Sequence, residues 1–344
     1  MERLNNEKSR KILHSLYVLF ILIGVIIVLD ICSGGKFTAV ASVVNVLRVS
    51  ASPLIIAVPA TLLMMTGNID LSVGGICSMV AVMYSKLAQT GMALPLAMLI
   101  VLAAGAGAGW FNGLLVARMR ITPVIATLAT MSLFWGIAKI MVPQRLNMIK
   151  GDMPPEMMDY AKGDAFLHIP PSIVVCIIVI AIFVTLEKRS TLGKYAVAIG
   201  GNITAAQLAG INARFVTWLL FVLTGLMAGF GGITYASYMN AGDFNVGSGT
   251  EVLVIIAILL GGTSFSGGKG SILKTVTAVY IMMCLDKGLT LMKVDSYWAM
   301  LVNGIVFISA LVIDNAITLN EANRRKKEGI EKSRSRIIGL SAPE

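Results

Sequence analysis

The residues able to do chemistry are few, and the most prominent lie in a break between apolar runs. Asp70 stands between Asn68 and Ser72 in the stretch Thr66-Gly67-Asn68-Ile69-Asp70-Leu71-Ser72-Val73-Gly74-Gly75. A carboxylate here accepts backbone amides and suits the positive end of a helix restarting near Ser72. A second glycine-rich break is Gly261-Gly262-Thr263-Ser264-Phe265-Ser266-Gly267-Gly268-Lys269-Gly270. Glycine permits irregular backbone, which is tolerated at membrane depth only where protein or a water-filled cavity covers it. Paired glycine-interrupted segments are what a transporter pathway uses. The two breaks, with Gly67, Asn68, Asp70, Ser72, Gly74, Gly261, Gly262 and Ser264, are candidates for a translocation path or its gate. The plainer alternative makes both of them ordinary turns. By their position along the chain both face the same side, and an inverted repeat is not demonstrated by them.

Two further polar residues, Asn112 and Asn303, fall inside apolar runs. Either ties helices together by hydrogen bonds or touches a solute. No ladder of carboxylates crosses the chain, so accumulation against a gradient would need energy from another protein. The four cysteines, Cys32, Cys77, Cys176 and Cys284, form no C-x-x-C and read as buried small hydrophobes. The only histidines, His14 and His168, lie far apart, which leaves metal and Ser-His catalysis nothing to work with. No metal site and no catalytic residue are expected.

These groups must be positioned by membrane helices. Of 344 residues, 56% are hydrophobic and 13% charged, about half the charged share of a soluble domain. About 20 apolar residues cross a bilayer. Spans are expected at 12–31, 51–66, then on to about 88, 94–116, 121–141, 172–186, 215–239, 252–260, 272–292 and 297–313, with 37–50 a mixed, interfacial stretch. The fold class is therefore all-α: a polytopic helical membrane bundle of about ten spans. Residues 1–11 form an N-terminal segment, 12–314 the transmembrane domain and 315–344 a basic tail containing Arg324-Arg325-Lys326-Lys327.

Lys and Arg concentrate at 1–11, 117–121, 187–214 and 315–344. The positive-inside rule then places both termini in the cytoplasm and 143–171 outside. The net charge of +10 reflects orientation and anionic membrane lipid; no nucleic-acid partner is implied. The inside stretch 187–214 is too long for a plain connection. Gly193, Gly200-Gly201 and Gly210 would divide it into short helices, one of which could dock a soluble partner or lie on the membrane. The small-residue runs Gly105-Ala106-Gly107-Ala108-Gly109 and Gly225, Gly229, Gly231, Gly232 allow close helix approach, within one chain or between subunits.

Three motifs carry a resemblance over about residues 45–315. They are Gly67-Asn68-Ile69-Asp70-Leu71-Ser72-Val73-Gly74; Ala198-Ile199-Gly200-Gly201-Asn202 with Ala205-Ala206-Gln207-Leu208-Ala209-Gly210-Ile211-Asn212; and Ile256-Ala257-Ile258-Leu259-Leu260-Gly261-Gly262-Thr263-Ser264 ending in Gly267-Gly268-Lys269-Gly270. Together they resemble the ribose/xylose/arabinose-type permease subunits of bacterial ATP-binding-cassette importers, with Asn68 in place of a glycine. The resemblance implies a ten-helix importer fold in the bacterial inner membrane, importing a pentose, hexose or related polyol-like solute. It implies a cytoplasmic ABC ATPase that uses ATP and Mg and docks at Gly201, Asn202, Ala205, Ala206, Gly210 and Ile211. It also implies an extracytoplasmic sugar-binding protein and a second permease copy or paralogue. The chain has no Walker A motif of its own, so no cofactor is expected on it. A secondary transporter or channel for a small polar solute is the alternative.

Overall fold

A computed structural model describes residues 18–312, apart from 144–145, 147, 152, 164–168, 296, 299, 303, 306–307 and 310–311. His14, His168, Asn303 and the terminal segments 1–11 and 315–344 lie outside the described residues. The architecture is an all-α bundle. In chain order the helices are α1 (Val18–Cys32), α2 (Val40–Met65), α3 (Val73–Gln89), α4 (Leu94–Gly113), α5 (Pro123–Met141), α6 (Pro155–Lys162) and α7 (Pro171–Arg189). There follow α8 (Thr191–Gly201), α9 (Ile203–Leu208), α10 (Ala213–Met239), α11 (Thr250–Leu260) and α12 (Ile272–Leu291). A π-helical turn, Leu114–Arg118, extends α4, so that α4, α2, α5, α7 and α10 are each long and apolar enough to cross a membrane. Two two-residue strands, β1 (Met148–Ile149) and β2 (Gly242–Asp243), pair antiparallel.

The helix limits follow local chemistry. Pro occupies the first turn of α4, α5, α6 and α7, where its missing N–H costs nothing. Asn202 and Asn212 cap α9 and α10 by accepting the Ala205 and Phe215 amides at 3.0 and 3.1 Å. Residues 40–50, expected to be interfacial, are instead the first turns of α2, which continues through Pro53 and Pro59. Burial explains this: from Ser50 to Met65 every residue of α2 is buried, and tertiary packing offsets the hydrogen bonds that the prolines remove. Of the expected breaks, the one at Gly193 is absent, because α8 runs through it, whereas Gly200-Gly201 closes α8 ahead of Asn202 and Gly210 lies between α9 and α10.

Helix α10 lies beside α2, α3 and α4 at the centre. The small-residue runs meet inside this one chain. An added β-carbon on Gly105 would strike the Gly225 carbonyl at 2.8 Å, and one on Gly225 would strike Gly109 at 2.6 Å. Close approach of this kind strengthens dispersion contacts where hydrophobic transfer contributes little. Gly107 faces open space.

Direction along the bundle is set by contacts at its two ends. Helix α2 ends at Met65 beside α8, whereas α10 begins just after α9 and runs away from that end. Helix α3 also runs away from it: Gln89 Nε2 donates to the Lys150 and Gly151 carbonyls in the connection at the opposite end. Helix α11 returns to the α8 end. The unit α2–turn–α3 is thus an upside-down counterpart of α10–turn–α11. The turns themselves repeat: Asp70-Leu71-Ser72-Val73-Gly74 is echoed by Asp243-Phe244-Asn245-Val246-Gly247. In each, the Asp Oδ1 accepts the amide two residues on, Ser72 N at 2.9 Å and Asn245 N at 2.8 Å. The inverted partner of the first glycine-rich break is this second turn, while Gly261–Gly270 faces the same end as Gly67.

Candidate functional site

Two clusters of functional residues are built on these turns. The first is a junction of three glycine-rich segments at the α8 end. The Gly268 N–H donates to the Met65 carbonyl at 2.9 Å. Gly200 of α8 fits into the same corner so tightly that a β-carbon there would overlap the Met65 carbonyl and the Gly268 nitrogen. A β-carbon on Gly267 would stand 2.6 Å from the Gly67 nitrogen and 3.0 Å from the Gly200 Cα. Glu187, near the end of α7, accepts the Ile272 amide at 3.3 Å and fixes the start of α12 beside it. The three motifs that are far apart in sequence therefore converge on one point. Within it, Ser264 is buried and its N–H donates to the Lys269 carbonyl at 3.1 Å, which closes the second loop. Gly261 abuts the Lys274–Thr275 backbone, and Gly262 is exposed with φ 81°. Asn68 Nδ2 donates to Thr66 Oγ1 at 2.8 Å.

The second cluster anchors the first turn to α4. Asn112 Nδ2 donates to Ser72 Oγ at 2.6 Å, and Ser72 Oγ donates to Asp70 Oδ1 at 2.6 Å. All three side chains are buried. Asp70 Oδ2 and Asn112 Oδ1 have no partner among the described residues, which is costly for buried polar atoms. Asp70 caps indirectly: it holds Ser72, the residue from which α3 departs.

The docking candidates divide by exposure. Gly201, Asn202, Ala205 and Gly210 are exposed and Ile211 is half-buried. Ala206 is only 4% exposed and packs inward with Ile199, Ala213 and Val216. The apolar surface of α9 is offered by Ile203, 53% exposed, and by Leu208, 86% exposed.

Two groups are not recognisable from sequence pattern alone. One is the turn 242–249. The other is Glu251 in the first turn of α11, which is buried with Oε2 unpartnered among the described residues. Its carboxylate fills the space a side chain on Gly74 would need. The only sequence signal for either is the Asp-x-x-Val-Gly echo. No group of three or more His, Cys, Asp or Glu able to hold a metal occurs among the described residues.

A bundle of apolar helices with two inverted re-entrant turns and a short-helix connection packed on them defines the class of a multi-pass membrane transport subunit. Residues 42–311 match the model of a family described as the branched-chain amino acid transport system / permease component, and the chain belongs to that family. It is 32% identical over 309 residues to the probable ABC transporter permease protein YphD of Escherichia coli K12, covering 90% of this chain and 92% of that one. It is 30% identical to the autoinducer 2 import system permease protein LsrC of Yersinia enterocolitica, covering 91% and 84%. It is also 30% identical to the galactofuranose transporter permease protein YtfT of Escherichia coli K12, covering 80% of each. No solved structure matches.

Proposed function

We propose that the chain is the membrane permease of an ATP-driven, binding-protein-dependent importer for a sugar or related polyol-like solute. The observation that carries the reading is the convergence of Gly200 with Met65 and Gly268. It joins the connection 187–214 directly to the ends of α2 and α11, so a push on α8 and α9 reaches both re-entrant turns through rigid backbone rather than through flexible side chains. A cytoplasmic ABC ATPase hydrolyses ATP with Mg and docks on α9 through Ile203 and Leu208. The permease has no catalytic residue of its own. An extracytoplasmic binding protein delivers the solute at the opposite end, and a second permease copy or paralogue completes the path. The name of the galactofuranose relative supports an imported solute of the sugar class. The Lys and Arg distribution supports an inner-membrane location with both termini cytoplasmic.

The test is uptake by proteoliposomes holding the complete complex. ATP sealed on the α8 side should drive accumulation, and collapse of the proton gradient should leave it intact. Uptake driven by a proton gradient alone, with the ATPase omitted, would place the chain among secondary transporters.

A further inference from the structure

Polar side chains are exposed on irregular backbone at a depth where lipid cannot receive them. The turn between β2 and α11 is exposed at Asn245, Ser248 and Gly249. Its depth is fixed by α5, one of the spanning helices. Trp135 Nε1 and the Gly247 N–H both donate to Ser78 Oγ, at 3.3 and 3.0 Å. Trp135 precedes the last residue of α5 by six positions, so Gly247 lies about 9 Å below that helix end at 1.5 Å per residue. One turn nearer the end, the Lys139 ammonium sits 4.1 Å from the centre of the Phe244 ring. Residues 244–247 therefore descend along α5 into the bundle.

Beside them α5 carries its own polar and small residues on one face. Ser132, Gly136 and Lys139 are exposed, at the three- and four-residue spacing that aligns a helix face. A β-carbon on Gly136 would meet nothing within 4 Å. Helix α5 also exposes Ile125, Leu128, Leu133, Ile137 and Ile140, so its polar positions form a strip bordering apolar surface like that of α7 at Ile177, Ile178 and Ile182 and of α4 at Leu96, Leu99 and Ile100. Those are lipid faces. Non-helical backbone and polar side chains at this depth require water or protein in front of them.

We propose that this face is the polar wall of the solute path, and that Asn245, Ser248 and Ser132 are groups the solute touches as it passes. The inference rests on the importer reading and adds to it the residues that select the solute. Their chemistry fits a neutral, hydroxyl-rich molecule. Asn and Ser each donate and accept hydrogen bonds, and the neighbouring carboxylates are engaged with the turn's own backbone, Asp243 accepting the Asn245 amide at 2.8 Å and Glu251 the Gly249 amide at 3.2 Å. The Lys139 ammonium is held over Phe244 and donates to the Leu146 carbonyl at 3.3 Å.

Thiol accessibility tests the wall without knowledge of the solute. Asn245→Cys, Ser248→Cys and Ser132→Cys are made singly in a chain whose four native cysteines are replaced, with Ile177→Cys and Leu99→Cys as lipid-facing controls. The complete complex in nanodiscs is treated with the membrane-impermeant reagent sulfonatoethyl methanethiosulfonate. The thiolate, which forms only in water, attacks the reagent's outer sulfur to form a disulfide and release methanesulfinate, so the three wall positions should react at least about tenfold faster than the controls. Their rates should also change several-fold between the ATP-free and the vanadate-trapped complex. Three wall positions as inert as Ile177→Cys would show lipid or a dry interface in front of them and overturn the proposal. Equal reactivity in both nucleotide states would mean a static vestibule and overturn it too. Failure of ATP-driven uptake with the labelling pattern intact would instead count against the importer reading. Three positions protect the test against one variant that does not fold.

Discussion

Gly74 and Gly247 lie backbone against backbone, each occupying the space in which the other's side chain would stand. Gly74 ends the first Asp-x-x-Val-Gly turn and Gly247 ends the second. The contact is therefore the point where the two inverted halves of the bundle touch, with the Glu251 carboxylate against it. Two re-entrant chains can meet this closely only through residues without side chains.

Replacing either glycine should force the turns apart. Gly74→Ala and Gly247→Ala are each expected to destabilise the folded protein by about 1–3 kcal/mol or more, the cost of overpacking a filled interior. Gly107→Ala on α4, where nothing lies within 4 Å, should be neutral or stabilising by about 0.5–1 kcal/mol, because alanine favours a helix. Thermal unfolding in one detergent compares the three. Equal melting temperatures for Gly74→Ala and Gly107→Ala would contradict the contact.

The junction on α8 gives a sharper comparison, between neighbours in sequence. Gly200 has no room for a β-carbon, whereas one on Gly201 would meet nothing within 4 Å. Gly200→Ala should displace α8 from Met65 and Gly268, lowering uptake several-fold while the ATPase continues to turn over. Gly201→Ala should keep most of both activities. Parallel assays of uptake and ATP hydrolysis in proteoliposomes read the difference. Equal coupling in the two variants would remove α8 from the transmission path.

Much of this arrangement is legible in sequence because lipid imposes a strong rule. Long apolar runs such as 172–186 and 215–239 become α7 and α10 with ends displaced by only a few residues. The start of α2 is hidden because residues 40–50 carry Asn45, Arg48 and two serines, and their helicity comes from packing against neighbours. Asn112 is noticeable as a polar residue in an apolar helix, but its tie to Ser72 depends on how α4 crosses the first turn. The inverted partner is harder to see. Residues 242–249 look like a loop between spans, and only the descent along α5 through Ser78 and Trp135 shows that they re-enter. Ala206 is ambiguous for a similar reason: a six-residue helix has too few positions to reveal which side is inward.

The two ends of the bundle make orientation testable. Asp159 on α6 is exposed, and Ser190 lies between α7 and α8 at the opposite end. In whole cells, with native cysteines replaced, Asp159→Cys should react with an impermeant maleimide. Ser190→Cys should react only after permeabilisation, as the Lys and Arg bias requires. The reverse pattern would put the α8–α9 connection outside and leave it no cytoplasmic ATPase to meet.

Asp70 is the last group to place, and its hydrogen bonds define what it does. Its Oδ1 accepts both the amide and the hydroxyl of Ser72, and that hydroxyl in turn accepts from Asn112. The carboxylate thereby holds the residue from which α3 starts and links the first turn to α4. An amide oxygen can accept the same two bonds, so Asp70→Asn should fold and retain appreciable uptake. Leucine accepts none. In Asp70→Leu the Ser72 amide and hydroxyl lose their buried acceptor, at about 1–3 kcal/mol for each unsatisfied group. The turn should then repack around the larger leucine side chain and most uptake should be lost. A proton carrier would behave differently, since an amide cannot take up and release the proton. Uptake is measured in proteoliposomes with the full complex and ATP, with and without an imposed pH gradient. Structural tethering predicts activity in the order wild type, Asp70→Asn, Asp70→Leu, with no response to the gradient in any of them. An inactive Asp70→Asn, together with wild-type uptake that disappears when the gradient is dissipated, would make Asp70 a proton carrier and remove it from the scaffold of the turn.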